Sequence, residues 1–119
     1  EEAVLDFATI NKYHVGMLPY LMDKLSEIYE GDTHLLDKTM IVYGSPMADG
    51  NLHNHRRCPL ITLGGANGQL DNNLHVMAPD GTPMANAMLT LMHKLGMDDV
   101  ESFGDSTGEL SLAAPASKG

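Results

Sequence analysis

His53 and His55 stand one residue apart in "DGNLHNHRRCPLI", residues 49–61, a Gly/Asn/Asp-rich stretch that runs straight into an apolar segment. Side chains of an extended segment alternate with a period of two, so the H-x-H spacing turns both imidazoles the same way. Neutral imidazoles suit zinc, iron, copper or nickel, but two ligands do not complete a site. Asp49, His75 and His14 are the companions the chain offers. A pair of hydrogen-bonded turn histidines is the competing reading, and spacing alone leaves both open.

Other residue patterns carry less. The H-x-H pair would serve as half of a cupin metal motif, but that motif needs a Glu a few residues on. Arg56-Arg57-Cys58-Pro59 follows instead. Gly64-Gly65-Ala66-Asn67-Gly68 follows an apolar run as phosphate loops do, yet it matches neither G-x-G-x-x-G nor the P-loop, and no helix signal opens behind it. Asp71-Asn72-Asn73 begins like a calcium loop and lacks the central Gly and closing Glu. Gly44-Ser45-Pro46 is not the G-x-S-x-G nucleophile turn, and nothing specific supports a Ser45–His55–Asp49 triad. The single cysteine, Cys58, excludes an internal disulfide and cysteine-based zinc sites, and reads as a passive, half-buried thiol. His34 and His93 read as surface residues, the latter favoured by a helix C-terminus. His14 falls on an apolar helical stripe, where a packed histidine is expected.

The elements that must position these residues follow from periodicity. Ile10, His14, Met17, Leu18, Leu21, Leu25 and Ile28 recur at helical spacing and predict a helix over 8–30, with Gly16 and Pro19 as points of a kink or a delayed start. Gly31-Asp32-Thr33 stops it, and a polar link follows. The runs 39–43 and 59–63 predict buried strands, joined by the loop 44–57. Leu74-His75-Val76-Met77 is a short extended candidate. A second helix is expected from Thr82 as N-cap and Pro83 at the first helical position to Gly96 at C′, with Met84, Met88, Leu91, Met92 and Leu95 as its apolar stripe. Two or three strands and two helices leave a sheet with bare edges and a bare face, so the chain is expected to belong to something larger or to pair with other copies.

Composition sets the bounds. The 119 residues suffice for one domain, and 43% apolar content can supply a core. Seven basic against sixteen acidic residues, a net charge of −9, with no basic cluster beyond Arg56-Arg57, argue against nucleic-acid binding. No apolar run approaches the roughly 20 residues of a membrane span, and the acidic opening "EEAVLDF" is not a secretory signal. The nine methionines fall at helix-face and loop positions suited to core filling.

The order "LLDKTMIVYGS", "DGNLHNH", "LGG…G" and the closing "SFGDSTG", within a match from about Ile10 to Leu110, resembles the C-terminal part of the bacterial HXXSHH family. That family comprises secreted proteins of uncharacterised function, distantly related to the alkaline phosphatase and sulfatase superfamily. The resemblance implies an α/β fold, the C-terminal portion of a three-layer α/β/α sandwich of alkaline-phosphatase-like type, over residues 1–110; the small, polar composition after Phe103 predicts a disordered tail over 111–119. The resemblance also implies a periplasmic or extracellular protein and a divalent metal, zinc first, held by Asp and His side chains above the strand ends. His55 would be a ligand, His53 a second ligand or an orienter, and His75 the distant ligand. Asn54 stands where relatives carry an acidic ligand, so either His53 takes over, the metal differs, or the site has decayed. The histidine-rich motif that names the family and the superfamily's nucleophile lie nearer the N-terminus, outside these residues. Two functions are therefore expected: part of a metal-dependent phosphate- or sulfate-ester hydrolase, or a non-catalytic binding or assembly module that keeps the fold. In either case the partner would be the remainder of a parent protein or other copies of the chain.

Overall fold

The computed structural model describes residues 2–113; the 114–119 part of the expected tail lies outside them. The chain is a mixed α/β arrangement of helices and two small antiparallel sheets.

Helix α1 spans Glu2–Ser26 and runs unbroken through Gly16 and Pro19. It starts six residues before the expected position and ends four residues earlier. None of its described residues is buried; only Leu18, Met22, Leu25 and Ser26 reach intermediate exposure. Those residues lie in the C-terminal third of α1, and α1 packs on α2. Beyond α1 the chain forms a minimal hairpin, β1 (Tyr29–Glu30) with β2 (Thr33–His34), turned by Gly31 at φ +66° and Asp32. A left-handed residue at the turn is where glycine is favoured.

One turn of helix, α2 (Leu35–Lys38), follows where the sequence predicts a polar link. The Asp37 carboxylate accepts from the His34 backbone N–H at 3.2 Å and closes its start. His34 is not a plain surface residue. Its Nδ1 lies 2.5 Å from the Ser26 carbonyl oxygen and its ring sits 4.4 Å from that of Tyr29, tying the end of α1 to the first hairpin.

The central pair is β3 (Ile41–Gly44) with β4 (Leu60–Leu63), antiparallel in the register Ile41–Leu63, Val42–Thr62, Tyr43–Ile61 and Gly44–Leu60. Both strands fall within two residues of the expected runs. Cross-strand partners share a face, so Ile41, Tyr43, Ile61 and Leu63 form one side and Val42, Gly44, Leu60 and Thr62 the other. Neither side is sealed: Ile61 remains 38% exposed on the first and Val42 43% on the second.

Helix α3 (Met84–Lys94) carries most of the core, with Ala85, Ala87, Leu89 and Leu91 buried. Pro83, extended at φ −60° and ψ 139°, is its N-cap, so the helix begins one residue later than Thr82 capping predicts. Its end is as expected. Gly96 sits at φ +83°, its N–H bonding the His93 carbonyl at 2.8 Å while the Met97 N–H bonds the Met92 carbonyl at 3.1 Å. That pair of bonds is the Schellman arrangement. Leu74–Met77 forms no strand. A short 3-10 turn, Ala66–Gly68, closes the Gly-rich segment.

Candidate functional site

The loop that leaves β3 and returns in β4 carries His53 and His55, and it is built by its own polar groups. The Ser45 N–H bonds the Pro59 carbonyl at 3.2 Å and the Ala48 N–H bonds the Asn54 carbonyl at 3.1 Å, while Asp49 and Asn54 bridge as antiparallel partners. The loop is thus a loose continuation of the hairpin. At its tip the Asp49 carboxylate accepts from the Asn51 N–H at 2.9 Å and the Leu52 N–H at 3.0 Å, the turn that Asx residues favour. Asn54 Oδ1 accepts from the Arg56 N–H at 3.3 Å. His53 and Arg57 take left-handed backbone, at φ 49° and 57°. The Phe7 ring of α1 rests on Gly50, where a β-carbon would lie 3.6 Å from Cζ.

The Pro46 carbonyl is the loop's internal anchor. His55 Nδ1 lies 2.7 Å from this oxygen and the Cys58 thiol donates to it at 3.1 Å. A histidine donating Nδ1–H to a backbone carbonyl leaves Nε2 as its acceptor, the arrangement by which second-shell bonds orient metal-binding imidazoles. Ser45 Oγ, by contrast, donates to the Met47 carbonyl at 2.8 Å and accepts from its N–H at 3.1 Å. That hydroxyl closes a local turn.

His75 lies exposed in the irregular stretch after residue 70. A side-chain ion pair joins its stretch to the histidine loop. The Arg57 guanidinium grips the Asp80 carboxylate through Nε and Nη2, each at 3.2 Å. This hydrogen bond, and then the opposite charge, holds the Arg57 pKa further above its ordinary value. Nothing in the isolated sequence marked Arg57 and Asp80 as partners across 23 positions.

His53 and His55 are exposed and His14 is exposed on α1, its ring edge-on to Tyr13 at 5.8 Å rather than packed in a core. Among the described residues no group of three or more His, Cys, Asp or Glu side chains is placed to hold a metal ion. His53, His55 and His75 are not brought together as such a group among the described residues. The nearest carboxylate in sequence, Asp49, is engaged in its own turn. Of the three histidines, His55 has its Nδ1 held by a backbone carbonyl, as oriented metal ligands do.

Below the sheet, Gly64 and Gly65 press on α2. A β-carbon on Gly64 would stand 2.2 Å from the Thr39 carbonyl oxygen, and one on Gly65 2.4 Å from that of Asp37. The Gly65 N–H bonds the Leu36 carbonyl at 3.0 Å and the Ala66 N–H that of Thr39 at 3.1 Å. The glycines serve close backbone packing.

Comparison with known protein families, with curated proteins and with solved structures finds no match. Among the described residues no helix is long and apolar enough to cross a membrane.

Proposed function

We propose that this chain is the C-terminal portion of a larger periplasmic or extracellular protein of alkaline-phosphatase-like type, to which it contributes two strands, the covering helix α3 and the histidine loop. Its solvent-accessible surface carries the proposal. Much of that surface is apolar and lies on α1, where Val4, Leu5, Phe7, Ile10, Tyr13 and Tyr20 are all more than half exposed. Surfaces of this kind mark contacts with other polypeptide. The missing layers of a three-layer α/β/α sandwich would cover them.

In this reading the histidine loop faces a divalent metal, zinc first, in a site for phosphate or sulfate esters. His55 is the ligand from the loop, with His53 and His75 beside it, and the remaining donors and the nucleophile come from the rest of the parent. A bound metal would supply Lewis-acid polarisation of the ester oxygens. Within these residues the task is orientation: the Pro46 carbonyl fixes the His55 ring, and Arg57–Asp80 holds the His75 stretch near the loop.

The second reading, an assembly module without turnover, has its own support in the polar groups of the loop. Asp49 Oδ1 and Asn54 Oδ1 are both engaged in shaping the turn, and Asn54 brings a neutral amide where a carboxylate would serve a metal better.

Elemental mass spectrometry of the longer protein, with and without His55→Ala, separates the two. Near-stoichiometric metal that falls at least severalfold in the variant supports the hydrolase reading. Metal unchanged by the substitution, or absent from both proteins, leaves the assembly module.

A further inference from the structure

The closing "SFGDSTGEL" segment lies against α3 as a strap, held by a polar stripe at Asn86, Thr90 and His93. These positions are four and three residues apart and so share one helical face. Asn86 Nδ2 donates to Thr107 Oγ1 at 3.1 Å, and Asn86 Oδ1 accepts the Thr107 N–H at 2.9 Å. Thr90 Oγ1 lies 2.8 Å from the Leu110 carbonyl oxygen and 3.0 Å from the Leu110 nitrogen. A β-carbon on Gly104 would lie 3.7 Å from that of Ala85, so the backbone passes close over the helix. His93 completes the stripe. Its Nδ1 meets the Glu109 carboxylate, and its Nε2 lies 2.7 Å from the Val100 carbonyl oxygen.

Both groups facing the ring are acceptors. A neutral imidazole has one N–H and one lone pair, so it can satisfy only one of them and opposes a lone pair to the other. The imidazolium donates to both. We propose that His93 is a proton-operated latch: in its cationic form it fastens the strap 103–110 to α3 through Glu109 and Val100, and loss of the proton loosens that strap.

The surroundings agree. Two carboxylates act on the ring, Glu109 from the strap and Asp98 from the connection after α3. Lys94, the neighbouring cation on the helix, donates to the Gln69 carbonyl at 2.5 Å. The last turn of a helix favours a cation as well. The Val100 carbonyl first, then the Glu109 carboxylate, raise the His93 pKa above its ordinary value. A group whose pKa is raised in the fastened state lends its full stabilisation below the pKa of the free side chain. That stabilisation declines as pH rises between the two values and is gone above the higher one. The Asn86 and Thr90 bonds carry no titrating group in the neutral range, so the strap loosens rather than detaches.

Amide hydrogen exchange at Thr107 and Leu110 in the 119-residue chain, corrected for intrinsic rates, reads the latch directly, with the His93 ring nitrogens followed by NMR. Protection is expected to be flat at low pH, and then to fall by up to about tenfold for each pH unit between the free and the fastened midpoints. In His93→Gln the pH dependence disappears. In Glu109→Gln the His93 midpoint moves down and the fall in protection moves with it; this exposed substitution decides the matter if His93→Gln fails to fold. Protection that ignores the His93 titration, a fall that persists in His93→Gln, or a midpoint unmoved by Glu109→Gln would each overturn the latch.

Discussion

A single β-carbon tests the packing beneath the sheet. Gly65 has an ordinary backbone, φ −95°, so Gly65→Ala is strained by contact alone, with the Asp37 carbonyl oxygen at 2.4 Å. Backbone displacement of that kind costs about 1–3 kcal/mol. Gly64→Ala is expected to cost more, because the left-handed φ of +91° adds its own penalty. Urea unfolding, read as a lower midpoint at unchanged slope, checks both. Arg57→Ala should behave differently. The ion pair is exposed, with side chains 81% and 80% accessible, and exposed pairs add little to stability. Its loss should leave the unfolding midpoint within error while amide exchange around Asp80 accelerates, an effect that salt mimics in the native chain. Residue-level legibility was uneven. The H-x-H pair advertised itself by spacing, yet its anchor, the Pro46 carbonyl, is a backbone group that no sequence pattern encodes. His93 read as a surface histidine because Glu109, its partner, lies 16 positions away.

At the scale of elements, local periodicity was informative and pairing was not. The two strands and α3 emerged near their observed bounds because apolar runs and a Gly at C′ are local signals. Helix α1 lies N-terminal to its expected span: the stripe that predicts it begins at Ile10 and runs to Ile28, while the helix extends back to Glu2 and stops at Ser26. The single turn α2 escaped notice, as four residues show no period. The strap escaped too: Asn86 and Thr90 lay on the helix without an apolar partner in view, and their bonds join positions 20 or more apart. Asn86 is 7% exposed and serves the Thr107 backbone. Asn86→Ala leaves that N–H unpaired and should cost about 1–3 kcal/mol, with Thr107 losing its exchange protection first. Asn86→Asp keeps the acceptor and should retain more of both.

For the whole molecule, the prediction concerns α1. Ile10 is 53% and Leu21 42% exposed, so Ile10→Lys and Leu21→Lys are expected to change the unfolding free energy of this chain by no more than about 0.5 kcal/mol, the range of surface substitutions, as read by urea unfolding. If the chain belongs to a larger protein as proposed, the same changes there should lower stability by about 2 kcal/mol or more, because each then buries a charge where an apolar group sat. Equal and small effects in both settings would leave α1 without a partner there. The count of elements predicts a sheet with bare edges, and the apolar side chains that α1 leaves exposed agree with that expectation. An apolar stripe is a local signal, whereas the surface that would cover it is not local, so the stripe is legible in the sequence and its cover is not.

Backbone contacts clamp the central hairpin at its base. Gly64, Gly65 and Ala66 hold its base to α2 through backbone contacts, whereas its far end rests on Phe7 and one solvent-exposed ion pair. Such a clamp acts at the root of a beam, and a small displacement at the root is magnified at the tip. The swing of the histidines is therefore set at the root, by two glycines beyond the end of β4. A larger side chain there would blur the position of His55 without touching it. Precision at the tip is inherited from the root.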